Sequence, residues 1–288
     1  MTGIIALIIR ILSNPYSNVI QKKLCAKGLK PLWVSFFSYF LLSLFMLIPA
    51  LFINYGKFSA IFWLNVILAG VIGALGNKYL TQAVKYGELS VLGPINSYKS
   101  VISVIFAFFL LGEIPSLAGF FGILLIAAGS YFIFDTQAEG FSFGIFLRRD
   151  IKYRLYALVL TALEAVFIKK IIIMSDALTS FIFWCTSSAF FSFLFYTAGK
   201  NKIIPALNLS IKKYFGYFLL LGFSMFLMQF STNIVFEHMN VSSALALFQL
   251  SSLVSVILGR QYFGEKNIGK KILGAIVMSA GAAVVILY

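Results

Sequence analysis

The sequence predicts an all-α membrane protein in which ten transmembrane helices form two inverted five-helix repeats. Three observations lead there. Of 288 residues, 61% are hydrophobic and only 11% are charged, whereas a soluble domain carries about a quarter charged residues to face water. The apolar runs are continuous and near the roughly 20 residues that a helix needs to cross a hydrocarbon core, unlike the alternating strands of about ten residues in an outer-membrane barrel. The chain also repeats itself: "LLGEIPSLAGFFGILLIAAG" at 110–129 returns as "YFGEKNIGKKILGAIVMSAG" at 262–281.

Hydropathy places the spans at 3–24, 31–54, 60–84, 88–111, 115–135, 154–174, 177–199, 213–236, 240–262 and 268–288. Span 1 is interrupted by Arg10, Asn14 and Pro15, and span 6 by Glu164. In span 3, Gly70, Gly73 and Gly76 permit close helix approach. Span 4 carries Pro94, which frees nearby backbone carbonyls. Spans 5 and 10 are rich in small residues and are expected at the periphery or at a homodimer contact. Arg10 breaks the first apolar run and no basic segment precedes it, so no cleavable leader is expected.

Residue n matches residue n + 152 over long stretches, with Gly70/Gly222, Ser90/Ser242, Ser100/Ser252, Gly112/Gly264, Glu113/Glu265, Gly122/Gly274 and Gly129/Gly281 among the identities. With a small shift, "SNVIQKKL" (17–24) also resembles "EAVFIKKI" (164–171). The halves are 1–136 and 152–288, joined by a polar loop at 137–151. Each half has five spans, an odd number, so the second enters the membrane from the opposite side. Inverted repeats of this kind are typical of alternating-access transporters, with substrate bound near the midplane where the repeats meet. The other reading is an inert duplicated bundle or a membrane enzyme.

The net charge of +14 would suggest nucleic acid in a soluble protein. Here basic loops explain it, and no nucleic-acid partner is expected. Cys25 and Cys185 form no metal or redox motif, so no metal and no cofactor are expected. No phosphate-binding loop, nucleophile elbow or metalloprotease motif is present, which argues against an enzyme. Lys and Arg concentrate in loops 1–2, 3–4, 5–6, 7–8 and 9–10, against Lys57, Lys169 and Lys170 on the other side. The positive-inside rule puts the basic side in the cytoplasm and both termini outside.

The stretch "QAVKYGELSVLGPINSYKSVISVIFAFFLLGEIPSLAGFFGILLIAAGSYFI" (82–133) has an Ala-x-x-Tyr start, a proline in span 4, a Gly-Glu turn and two later glycines. With the ten-span layout it resembles the EamA-type branch of the drug/metabolite transporter superfamily. The second copy keeps Gly264, Glu265, Gly274 and Gly281 but has Ala246 in place of the proline. The resemblance implies a multi-pass protein of the cell (inner or plasma) membrane that exports small molecules, with both termini cytoplasmic, opposite to the charge rule.

Ionisable residues within spans are functional candidates because burying charge in lipid is costly. Lys99 lies mid-span in "PINSYKS", with Asn96 on the same helix face and Tyr98 beside it. Span 3 offers Asn77, Lys78 and Gln82, and Asn77 aligns with Gln229 in span 8. Glu164 is the carboxylate set well inside a span, either a proton-coupling group or a static ion-pair partner of Lys99 or Lys78. Trp33, Trp184, Asn233 and Gln249 are weaker cavity candidates. Glu113 and Glu265 read as caps of the helices that follow them, and Glu237-His238 as a solvated turn. Spans 1, 3, 4, 6, 8 and 9 are expected to line a central cavity. Two intramembrane lysines against one carboxylate suggest a small polar substrate with an anionic group, such as an amino acid or another anionic metabolite. A lipid-linked substrate flippase and a non-transporting scaffold are the alternatives.

Overall fold

The computed structural model describes residues 2–102, 116–137, 142–198 and 205–287, apart from the side chains of 143, 205–212, 242 and 287. Its helices are α1 (Thr2–Ala26), α2 (Pro31–Phe45), α3 (Leu47–Ala50), α4 (Ala60–Tyr86), α5 (Leu89–Leu92), α6 (Leu117–Phe134), α7 (Arg149–Met174), α8 (Ala177–Ala198), α9 (Pro205–His238), α10 (Val241–Phe248), α11 (Ser251–Phe263) and α12 (Ile268–Leu287). Short 3-10 turns occupy Tyr55–Lys57, Pro94–Ser97 and Phe143–Leu147, and no strand occurs among the described residues.

Local chemistry sets many of the ends. The Ser59 hydroxyl accepts from the Phe62 amide at 3.3 Å and starts α4, and Ser116 does the same for Gly119 at 3.0 Å in α6. Asp176 accepts from the Thr179 amide at 2.8 Å at the head of α8. These side chains supply acceptors for helix-start amides that have no partner in the helix itself. α11 ends at Gly264 in the left-handed conformation, φ 63°, where glycine avoids the steric cost of a side chain. That turn sends Glu265 back towards the bundle.

The polarity pattern is that of a membrane protein. Seven helical stretches of the described residues are long and apolar enough to cross a bilayer. Large apolar side chains face outwards, Ile8, Phe121, Phe190 and Phe223 among them, while Asn18, Gln21, Asn77, Lys99, Arg154 and Glu164 are buried. Water-facing proteins show the opposite distribution.

Helices pair in a regular way. α4 lies along α7, α1 along α9, α2 along α8 and α6 along α12. α4 also touches α8, and α9 touches α2. Glycines permit the closest approaches. A Cβ on Gly122 would sit 2.7 Å from the Gly281 carbonyl oxygen, and one on Gly274 would sit 2.6 Å from the Gly129 oxygen. The glycines of spans 5 and 10 are used against each other within one chain, and the pair keeps Leu117, Phe121, Leu273 and Ile276 exposed, as the expected peripheral position requires.

Several boundaries differ from expectation. Span 2 ends as α2 at Phe45, a 15-residue helix, because Pro49 lies in the next turn and cannot donate to the Phe45 carbonyl. Span 4 is not one helix but α5, then the Pro94–Ser97 3-10 turn, and its residues 103–111 lie outside the described set, as does Glu113. Span 9 divides into α10 and α11 at Gln249–Leu250. Span 8 belongs to the longer α9, which is kinked at Tyr214. The expected loop 137–151 is partly structured: Arg148 pairs with Asp150 at 2.9 Å and donates to Gln137 at 2.9 Å, and α7 begins at Arg149.

Candidate functional site

The buried polar residues converge on one cavity of about 110 Å³ within the bundle. α1 contributes Arg10, Asn14, Ser17, Asn18 and Gln21, a spacing of three and four that puts them on one helix face. α7 contributes Arg154, Thr161 and Glu164 in the same rhythm. Asn77 comes from α4, Gln229 and Thr232 from α9, Tyr39 from α2 and Trp184 from α8, while Asn96 and Lys99 come from the interrupted fourth span.

The breaks in the two interrupted segments face each other. Asn96 Nδ2 donates to Gln249 Oε1 at 3.1 Å, joining the Pro94–Ser97 turn to the gap between α10 and α11. In the first break the Asn96 amide bonds Gly93 at 3.1 Å, so the Leu92 carbonyl loses its α-helical partner. Arg154 takes it over, its Nε donating to Leu92 O at 2.9 Å and its Nη2 to Asn96 Oδ1 at 3.2 Å. At both places the chain keeps helical backbone angles but tightens to i→i+3 hydrogen bonds, which frees carbonyls for side chains within the bundle.

The carboxylate of Glu164 accepts from Trp184 Nε1 at 2.8 Å. Gly73 makes room for it, since a Cβ there would lie 2.3 Å from Glu164 Oε1. Gln21 donates to Asn77 Oδ1 at 3.2 Å. Arg10 lies over the Phe248 ring at 4.6 Å, and its Nε and Nη1, with Asn18 Oδ1 and Gln21 Oε1, are buried without a hydrogen-bond partner among the described residues. Buried polar groups need such partners, so these atoms call for water or a ligand. Three cationic side chains, Arg10, Lys99 and Arg154, and one carboxylate, Glu164, share the lining.

Of the residues singled out from sequence, Lys99, Asn96, Asn77, Gln229, Trp184 and Glu164 line this cavity. Asn233 and Gln249 stand one layer behind it: Asn233 accepts from Gln229 at 3.0 Å and donates to Ala177 O at 3.1 Å, while Gln249 receives Asn96. Tyr98 points away, donating to Ser130 at 2.9 Å. Lys78 lies over the Tyr79 ring at 5.1 Å, and half-buried Gln82 is also outside the lining. Trp33 belongs to an aromatic cluster with Phe36, Phe37 and Tyr196. Sequence reasoning took Arg10 for an interruption and Arg154 for a loop residue, and it passed over the α1 stripe, which the 3.6-residue period would have revealed.

A bonded cluster ties the start of α5 to α1 and to the turn between α11 and α12. Glu265 accepts from the Leu89 and Ser90 amides at 2.9 and 2.8 Å, from the Ser90 hydroxyl, and from Lys22 at 3.2 Å. Lys22 also donates to Gly87 O at 2.7 Å. Lys271 donates to Ser90 Oγ at 2.9 Å and pairs with Glu88. Glu265 thus caps α5, in the other half of the chain, and not the helix that follows it. Burial pushes its carboxyl upwards, but the Ser90 hydroxyl, Lys22 and the two amides outweigh burial and hold it below the usual carboxylate value.

Residues 1–135 match the family of EamA-like transporters. The match covers just under half of the chain, and the apolar helices of the described residues fit a multi-pass membrane protein. No curated protein sequence matches the chain. A solved structure described only as "Crystal structure of protein" superposes with a TM-score of 0.64 at 16% identity, over 99% of this chain and 95% of its own. At that identity the likeness speaks for the fold alone. The EamA region contains the α1 stripe, Asn77, Asn96 and Lys99, while Arg154, Glu164, Trp184 and Gln229 come from beyond it.

Proposed function

We propose that this EamA-like protein is a secondary active transporter that moves a small organic anion through the central cavity by alternating access. The observation that carries this reading is the lining: Arg10, Lys99 and Arg154 surround a single carboxylate, with guanidinium nitrogens of Arg10 lacking hydrogen-bond partners among the described residues. A unit charge at 4 Å in an effective dielectric near 20 interacts by about 4 kcal/mol, so an anion gains from this wall and a cation is repelled by it.

The inverted five-helix repeat, 1–136 against 152–288, is the frame we infer for the movement. Contacts support it. Exchanging the halves turns the α4–α7 pair into α9–α1 and the α4–α8 pair into α9–α2, while α2–α8 and α6–α12 map onto themselves. The Glu265 cluster serves as the gate at the end it occupies. Glu164 serves as the proton site. It faces Arg10 from α1, Tyr39 from α2, Lys99 from the fourth span and Trp184 from α8, and a bound proton or a bound anion would each relieve the charge imbalance.

Counterflow in proteoliposomes tests the reading, with radiolabelled carboxylates and phosphate monoesters set beside amines of matched size. Exchange of anions and not amines, lost in Arg10→Gln, is expected. Exchange of amines, or undiminished anion exchange by Arg10→Gln, would overturn it.

A further inference from the structure

A second cavity, of about 150 Å³, adjoins the first and is lined by Lys99, Ser100, Ala162, Val166, Val241, Leu245 and Ile286. Lys99 and Leu245 belong to both linings. Ser100 and Lys99 are its polar residues, and the others present hydrocarbon. Its wall reaches the outer face of the bundle, where Val166 is 45% exposed. A pocket of that volume with mostly aliphatic walls has room for a hydrocarbon group about the size of benzene.

We propose that the substrate is an amphiphilic anion, whose charged group sits among Arg10, Lys99 and Arg154 while an apolar group of about six carbon atoms enters this side pocket. The inference rests on the anion reading above and extends it to the rest of the molecule. The shared wall supplies the reason. A ligand anion near Lys99 has a polar chamber on one side and a hydrocarbon chamber on the other, so one molecule satisfies both only if it is charged at one end and apolar at the other. A short polar anion leaves the second chamber unused. A wholly apolar molecule leaves the Arg10 nitrogens without partners, which is unfavourable at a buried site. Ala162 and Val166 lie on the same helix as Glu164, so the apolar group would also report its presence to the proton site through α7.

Binding of n-alkyl phosphates from methyl to hexyl, measured on the full chain in nanodiscs, tests the proposal. These probes keep their charge at neutral pH and differ only in hydrocarbon length. Affinity should rise by up to about fourfold per methylene and level off near six carbons. Ala162→Leu, which fills the pocket, should flatten that rise while leaving methyl phosphate binding within about twofold. Val241→Ala, which enlarges it, should shift the levelling to longer chains. Binding independent of chain length, or an unchanged rise in both variants, overturns the side pocket and leaves the anion reading standing. Failure of every phosphate to bind overturns the anion reading, and this proposal with it.

Discussion

Glu265→Gln should loosen the cluster that we propose as the gate. The wild-type carboxylate is 4% exposed and divides its donors between two oxygens: the Leu89 amide and Lys22 on Oε1, the Ser90 amide and hydroxyl on Oε2. Glutamine keeps one acceptor oxygen, so it retains one of these sets and turns an amide nitrogen towards the other. Hydrogen bonds to charged groups contribute about 1.5–3 kcal/mol each. Losing two and weakening the rest removes about 3 kcal/mol, which is about a hundredfold in the closed-to-open ratio because 1.4 kcal/mol is a factor of ten. The assay is thiol labelling of a Leu80→Cys reporter on the cavity wall, with Cys25 and Cys185 replaced, using a water-soluble maleimide. Labelling should quicken by about two orders of magnitude in Glu265→Gln. An unchanged rate would show that the cluster does not hold this end shut.

The same cluster sets a pH dependence. A carboxyl held below its usual value favours the closed state when ionised, so that contribution is complete at neutral pH and fades as acid protonates Glu265. Reporter labelling in the otherwise wild-type protein, divided by the rate of a free thiol at the same pH to remove the thiolate's own titration, should be flat from about pH 8 to 5 and rise only below the ordinary glutamate value of about 4.3. Trp184→Phe removes the 2.8 Å donor to Glu164. It should lower anion exchange, measured by counterflow, and, because Trp184 is buried and Glu164 loses its donor, destabilise the protein by about 1–3 kcal/mol. Gly122→Val places carbon against the Gly281 backbone oxygen and Val285 and should destabilise the protein by about 1–3 kcal/mol, read as a lower melting temperature in detergent.

Spans with long apolar runs, such as α6 and α12, were legible because hydropathy and length suffice to define them. The repeat register carried more information. It paired Asn77 with Gln229, and both line the cavity. The losses have physical reasons. A charge near a span end looks like a loop residue in a linear reading, which hid Arg154. Its burial depends on the Leu92 carbonyl, left over by a break 62 residues away. The break after Pro94 had a visible cause. The break at Gln249–Leu250 has none in local sequence, since neither proline nor glycine is there, and its bond to Asn96 is a tertiary feature. Glu265 was recognised as a cap but assigned to the adjacent helix, because a sequence shows the nearest helix start and not the one that folding brings close. With Arg154 and Lys271 buried in the bundle, at least two cations leave the basic-loop count.

The most direct test of alternating access is to fasten and release the gate. Lys22→Cys and Glu265→Cys replace two residues that meet at 3.2 Å, and a cleavable bifunctional thiol reagent can join them in a background without Cys25 and Cys185. Anion counterflow should stop when the pair is joined and return when the linker is cleaved. Undiminished exchange with the pair fully joined would contradict a transporter that must open at this end.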